Sequence, residues 1–156
     1  MKKALAALVL VLSPLTAFAA GTVSAPTLVD GASSAIVPQA VKDYVKAIET
    51  NDADLLWNAR SPERQEFYNE RASFYGYEPK VDAQGNTISA GLQLTRETMV
   101  SIARMGRTAT HQYLAQMSRD GETSYLYIIT FVLDGAVEQF PYTFFVDSAG
   151  KVAKVE

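Results

Sequence analysis

This chain of 156 residues is acidic, with 17 Asp and Glu against 14 Lys and Arg, and it contains one histidine and no cysteine. An acidic chain has no basic excess to neutralise phosphates, so its composition argues against nucleic acid and anionic membrane surfaces as partners. The lack of cysteine excludes disulfides and a lipid anchor on cysteine, and the hydrophobic core must stabilise the fold by itself.

The first nineteen residues have the features of a secretory signal. A Lys-Lys pair follows Met1, residues 4–12 are apolar without interruption, and residues 17–19 read Ala-Phe-Ala, which offers an A-x-A cleavage site. The apolar run is too short to span a bilayer, which needs about 20 residues. We therefore expect residues 1–19 to be removed and the protein to be exported without a membrane anchor, to the periplasm first and to the extracellular medium second.

Cleavage would leave 137 residues, which suit one domain. It removes two lysines and no acidic residue, so the net charge would change from −3 to −5. Residues 20–35 are rich in Ala, Ser, Gly and Thr with a single Leu28-Val29 pair, a composition that predicts a flexible leader. The folded domain is then expected over residues 36–156.

Two helices are predicted at the start of this domain. Pro38 suits the first turn of a helix whose apolar residues recur at helical spacing as far as Ile48. Asn51 or Asp52 can cap a second, shorter helix. That helix carries Trp57, which we expect to be buried between the helix and a sheet.

A third helix is predicted to begin at Ser61, as its cap, and Pro62, at its first helical position. One stripe of this helix carries Phe67, Arg71 and Phe74, and the helix ends near Gly76. Arginines alternate with glutamates around it, at Arg60, Arg64 and Arg71 and at Glu63, Glu66 and Glu70. This alternation predicts a solvated face with surface ion pairs of little energetic weight.

A short hairpin and a fourth helix are predicted next. Gly85-Asn86 can form the turn of the hairpin, with Val81 and Ile88 on its arms. Thr95 predicts the cap of a helix that runs through Met105 and stops at Gly106. The inward positions of this helix are expected to be Met99, Ile102 and Ala103.

The last third of the chain predicts an antiparallel meander, because its hydrophobic period changes to two. The four predicted strands are Thr108 to Ser118, Glu122 to Leu133, Val137 to Val146 and Val152 to Val155. Asp120-Gly121 and Asp134-Gly135 are strong hairpin signals between them. Pro141 removes a donor from the third strand, so we expect a bulge or a sheet edge there.

The strand over residues 122–133 is apolar on both of its faces. An antiparallel strand of this kind needs helices on one side and a second subunit or an enclosed cavity on the other. A homodimer through the sheet is one expectation. A cavity lined by aromatic side chains is the alternative.

This order of elements resembles the nuclear transport factor 2-like (cystatin-like) superfamily, which includes steroid isomerases and polyketide cyclases. The resemblance covers residues 36–156. Its best-matching segments are Val-Pro-Gln-Ala-Val-Lys-Asp-Tyr-Val-Lys-Ala-Ile at 37–48 and Phe-Phe-Val-Asp-Ser-Ala-Gly-Lys-Val at 144–152. It implies a cone-shaped α+β barrel in which N-terminal helices pack in the concavity of a curved antiparallel sheet of four or more strands. Many members are exported ligand-binding or accessory domains, and no catalytic motif of the enzymes matches here.

His111 is the only histidine and the one candidate general base. It lies two residues from Tyr113 on a predicted strand, so both side chains should point to the same face. Histidine can remove a proton near neutral pH, and a tyrosine hydroxyl could stabilise the oxyanion. The alternative is a surface or rim histidine, which the lack of an identifiable orienting partner favours.

The strand tyrosines are the candidate ligand contacts. Tyr113, Tyr125, Tyr127 and Tyr142 could line a cavity for a small apolar or aromatic ligand, because tyrosine has an apolar body and a hydrogen-bonding tip. The alternative is that they belong to the core. The residue pattern holds no metal-binding or cofactor-binding signature. The sequence thus favours an exported small-ligand-binding or accessory protein without enzymatic activity over a small isomerase or cyclase that uses His111.

Overall fold

The computed structural model describes residues 27–29, 37–119 and 122–156, and its architecture is α+β. Its helices are α1 (Gln39–Thr50), α2 (Ala53–Ala59), α3 (Pro62–Phe74) and α4 (Ala90–Arg104). Its strands are β1 (Thr27–Val29), β2 (Lys80–Val81), β3 (Thr87–Ile88), β4 (Thr108–Arg119), β5 (Glu122–Leu133), β6 (Ala136–Val146) and β7 (Val152–Val155). The predicted secretory signal and the Asp120-Gly121 connection lie outside the described residues.

The main sheet has the strand order β1-β4-β5-β6-β7, and every neighbouring pair is antiparallel. β2 and β3 form a separate hairpin, as the Gly85-Asn86 signal predicted. β1 was not predicted, because it lies in the segment interpreted as a flexible leader. Its Thr-Leu-Val sequence favours extended backbone, and it pairs with the end of β4.

Two irregularities bend the sheet around the helices. The β4–β5 register shifts between Tyr113 and Ala115, and the β6–β7 register shifts between Phe145 and Val146. Pro141 causes no bulge, since the β5–β6 pairing continues through it. It lies instead in the part of β6 that β7 does not pair with, so its missing N–H costs no ladder hydrogen bond.

Two of the predicted helix caps are confirmed, and one differs from the prediction. Asp52 and Ser61 accept hydrogen bonds from backbone N–H groups at the starts of α2 and α3, as predicted. α4 begins six residues earlier than predicted, with Ser89 rather than Thr95 as its cap. Thr95 lies inside the helix, where its hydroxyl donates to the carbonyl of Gly91 at 2.8 Å.

α3 buries only a narrow face. Tyr68 and Ala72 are its buried residues, whereas Phe67 and Phe74 are exposed. The stripe of Phe67, Arg71 and Phe74 therefore faces away from the core. The neighbouring elements cover the side of α3 that carries Tyr68 and Ala72. The hydrophobic period alone does not indicate which of the two aromatic stripes is covered.

The core lies between α1 and the concave face of the sheet. Val41, Tyr44, Val45 and Ile48 of α1 pack against this face, and Met99 and Ile102 of α4 complete the layer. The buried residues of the sheet in this cluster are Tyr125, Tyr127, Ile129, Phe131, Tyr142, Phe144 and Val152. This arrangement confirms the predicted α+β class, with N-terminal helices in the concavity of a curved sheet.

The opposite face of the sheet is apolar and incompletely covered. Leu126, Ile128 and Val132 of β5 are half-buried there, and Val137, which pairs with Val132, is exposed. Among the described residues, no helix is long and apolar enough to cross a bilayer.

Candidate functional site

The candidate site is a rim cluster formed by Glu49, His111, Tyr113 and Tyr127. The β4–β5 register places His111 opposite Ile129 and Tyr113 opposite Tyr127, so both β4 side chains lie on the concave face, as predicted. The last turn of α1 brings Glu49 to the same position, 62 residues away in sequence. The cluster thus joins a helix end to the middle of two paired strands.

The shortest polar contact in this cluster joins Glu49 Oε1 to His111 Nδ1 at 2.6 Å. The His111 side chain is 35% exposed and that of Glu49 is 21% exposed. The carboxylate orients the ring through Nδ1, and Nε2 is the ring nitrogen that this contact does not use. A carboxylate–imidazole pair of this kind can hold a proton or accept one.

The aromatic neighbours of His111 form the floor of the rim cluster. The Tyr127 ring centroid lies 5.7 Å from that of His111 and 5.3 Å from that of Tyr113. Burial, with a smaller contribution from Tyr113, raises the pKa of Tyr127 to about 12. The Tyr127 phenol is therefore protonated throughout the physiological range and can donate a hydrogen bond.

The structure distributes the predicted ligand tyrosines between the rim and the core. Tyr113 is half-buried at the rim, and Tyr127 is buried beneath it. Tyr125 and Tyr142 are buried in the core, and among the described residues neither ring forms an aromatic pair with His111 or Tyr113. Four of the clefts formed by described residues have no tyrosine of the predicted set in their lining.

An alkaline titration is expected to detect the buried phenols. Burial is the first cause that raises the pKa of both Tyr127 and Tyr142 to about 12. Because the folded state favours the protonated phenol, this stabilisation is present below about pH 10 and is lost as the pH rises from about 10 to about 12. Phenolate absorbance and far-UV circular dichroism should therefore change together in that range. Complete tyrosine ionisation near pH 10 with the fold intact would contradict this assignment.

The sequence did not indicate the positions of two charged residues, Glu49 and Arg60. Glu49 carried no signal beyond its place on the polar side of α1, so its pairing with His111 depends on tertiary structure alone. Arg60 was assigned to a solvated face, but it is buried between helices. Among residues 37–119 and 122–156, no three His, Asp or Glu side chains lie close enough to hold a metal ion.

Compared with models of protein families and with curated proteins, this chain matches none. Among solved structures, it is similar to an LEH-like epoxide hydrolase of M. tuberculosis, with 15% sequence identity and a TM-score of 0.42, over 76% of this chain and 78% of that chain. A likeness of this size concerns the fold alone and transfers no residue role.

Proposed function

We propose that this protein is an exported accessory or small-ligand-binding protein of the nuclear transport factor 2-like type, without enzymatic activity. The observation that supports this proposal is the filled concave face of its sheet. Tyr125, Tyr127 and Tyr142 are packed in one cluster with α1. An enzyme of this architecture needs a water-excluded space beside its acid or base, whereas these three tyrosines pack against the side chains of α1.

The rim cluster is the most suitable place for a ligand. Tyr113 and His111 present partly exposed aromatic surface there, and the imidazole and the phenol can form hydrogen bonds. A small aromatic molecule with one polar group fits this combination, because stacking and a hydrogen bond can act together. An acidic ligand is disfavoured, since the Glu49 carboxylate lies 2.6 Å from the His111 ring.

Binding at the rim can be tested by NMR with a library of small aromatic compounds. We expect binders to shift the His111 ring signals and the Tyr113 ring signals, and Tyr113→Ala to weaken binding. Tyr75→Ala is the matched control, since Tyr75 is a tyrosine on the remote end of α3. Binders that shift only residues outside the rim cluster would reject this location.

A second candidate function is a small isomerase or cyclase in which His111 is the general base. The specific observation in its favour is the 2.6 Å contact with Glu49, which supplies the orienting partner that a base requires. In that case His111→Gln and Glu49→Gln should both lower the turnover of a carbonyl compound, by about 10² to 10⁴ for the histidine, with little change in affinity. Our proposal expects no turnover in the unmodified protein. It also expects each substitution to change the free energy of unfolding by less than about 1 kcal/mol, as for other partly exposed pairs.

Export is proposed from residues 1–19. The mature protein should begin at Ala20, because cleavage follows the Ala-Phe-Ala sequence. N-terminal sequencing of periplasmic or secreted protein measures this directly. Retention of Met1 in a membrane fraction would contradict the proposal.

A homodimer through the open face of the sheet is also proposed. Val137 is exposed on this face, beside half-buried apolar side chains of β5, and pairing two such faces would remove them from water. Sedimentation at micromolar concentration should detect a dimer. Val137→Asp should dissociate it, whereas Val81→Asp, a change at an exposed valine of the separate hairpin, should not. A monomeric parent protein would overturn the proposal.

A further inference from the structure

The outer face of α3, opposite its buried side, carries two exposed phenylalanines. Phe74 is 85% exposed and Phe67 is 44% exposed. They are two helical turns apart, so they lie on one line along the helix. A cleft of about 420 Å³ lies on this face, and its walls are Phe67, Glu70, Arg71, Phe74 and Tyr75. Contiguous exposed apolar surface with charged residues at its border is typical of a protein-interaction site.

The charged residues of α3 are divided by sign on the two sides of this aromatic line. Arg64 and Arg71 are three residues before and four residues after Phe67, and both of these positions lie on the same side of it. The glutamates lie on the other side, at Glu63, Glu66 and Glu70. The outer face therefore has a basic side, an aromatic centre and an acidic side.

These charges do not neutralise one another within the helix. Their alternation predicted surface ion pairs, but among the described residues no ion pair includes a charged residue of α3. The reason is their spacing, because side chains on a helix meet three or four residues apart and no arginine of α3 is that far from one of its glutamates. Glu66 and Glu70 are four residues apart, so two like charges meet instead.

The neighbours of these charges in the structure are neutral groups. The central carbon of the Arg64 guanidinium lies 5.0 Å from the Phe67 ring centroid and 5.3 Å from that of Tyr68. Glu66 Oε2 accepts a hydrogen bond from the Asn69 side chain at 3.4 Å. Within the part of the chain that the structure describes, both sides of the outer face thus keep a charge that is not paired with its opposite.

Such a face is complementary to itself when two copies of α3 lie side by side in the same direction. A twofold axis parallel to the helices brings the acidic side of one copy against the basic side of the other, and the aromatic lines meet at the centre. An antiparallel pair would bring arginine to arginine and glutamate to glutamate. We propose that the outer face of α3 binds a second copy of this chain through a parallel α3–α3 contact.

The contact is expected to be weak, because α3 has only 13 residues. Interfaces that bury less than about 1,200 Å² in total are typical of transient association. The inference is independent of the proposed sheet homodimer, since the two faces share no residue. At high protein concentration the α3 contact would link sheet dimers to one another.

Sedimentation velocity of the full chain with Val137→Asp tests this contact without the sheet dimer. We expect self-association over a concentration series that reaches the millimolar range, and we expect salt to weaken it by screening the charges. Phe74→Ala in this background should weaken the association by about tenfold or more, as for other aromatic anchors. Val81→Ala is the matched control, at an exposed apolar residue of the separate hairpin, and should leave it intact. A Val137→Asp protein that stays monomeric, or association that survives Phe74→Ala, would overturn the proposal and assign the outer face to solvent or to a different protein.

A charge exchange in the same background tests the self-complementary pairing. Arg64→Glu with Arg71→Glu makes both sides of the outer face acidic, and Glu66→Lys with Glu70→Lys makes them predominantly basic. Each double variant alone should lose self-association through like-charge repulsion, and an equimolar mixture of the two should restore it. Far-UV circular dichroism checks that each variant folds, and Phe74→Ala, a change at a highly exposed residue, decides the matter if one does not. A mixture of folded variants that associates no better than either one alone would contradict the pairing.

Discussion

Replacing Trp57 with alanine is expected to lower the free energy of unfolding by about 3 to 5 kcal/mol, as for other large buried aromatic residues. Trp57 is 8% exposed. Its ring packs against Gly91 in the first turn of α4, rather than against the sheet as the sequence suggested. Denaturant unfolding of the variant measures the effect, and a loss below about 1 kcal/mol would contradict the burial.

The contact between Trp57 and Gly91 gives this prediction a sharper control. A methyl group at residue 91 would lie 2.6 Å from Trp57 Cη2, so Gly91→Ala should destabilise the parent protein by about 1 to 3 kcal/mol through overpacking. In the Trp57→Ala background this clash with the ring disappears, whereas the 2.8 Å approach of the new methyl group to Asn69 Oδ1 remains and opposes the higher helix propensity of alanine, worth about 1 kcal/mol. The two substitutions should therefore couple by about 0.5 to 3 kcal/mol. Simple additivity would mean that the ring and the helix do not touch.

Replacing Phe144 with alanine is expected to lower the free energy of unfolding by about 3 to 5 kcal/mol. Phe144 is fully buried on the concave face, and its ring centroid lies 5.4 Å from that of Tyr44 and 5.6 Å from that of Tyr127. Both contacts have edge-to-face geometry, which adds to the loss from area burial alone. The substitution removes the β6 side chain that contacts both Tyr44 of α1 and Tyr127 of β5.

Phe74→Ala is the matched control for this variant, because Phe74 is 85% exposed on α3. Its loss should change the free energy of unfolding by less than about 0.5 kcal/mol. Near-UV circular dichroism should lose intensity in Phe144→Ala and stay unchanged in Phe74→Ala. Similar effects of the two substitutions on stability would contradict the assignment of the core to the concave face.

Local sequence signals determined most of the secondary structure. The two-residue hydrophobic period predicted β4 to β7 with ends within one residue of those observed. Asp134-Gly135 turns the chain between β5 and β6 with φ angles of 50° and 79°, the left-handed backbone that this residue pair tolerates. Each of these signals acts over a few neighbouring residues, and for that reason it can be recognised without a partner.

Tertiary structure decided which faces and which polar groups are buried. Tyr68 rather than Phe67 is the buried aromatic residue of α3, and Arg60 is buried although the charge alternation predicted a solvated face. Glu49 met His111 across 62 residues because α1 crosses the concave face at its last turn. Such contacts depend on how helices pack on a curved sheet, and no period or motif in a single chain records that packing. The sequence by itself therefore determined the elements and the α+β class, while the tertiary structure alone assembled the rim cluster and enclosed the charge of Arg60.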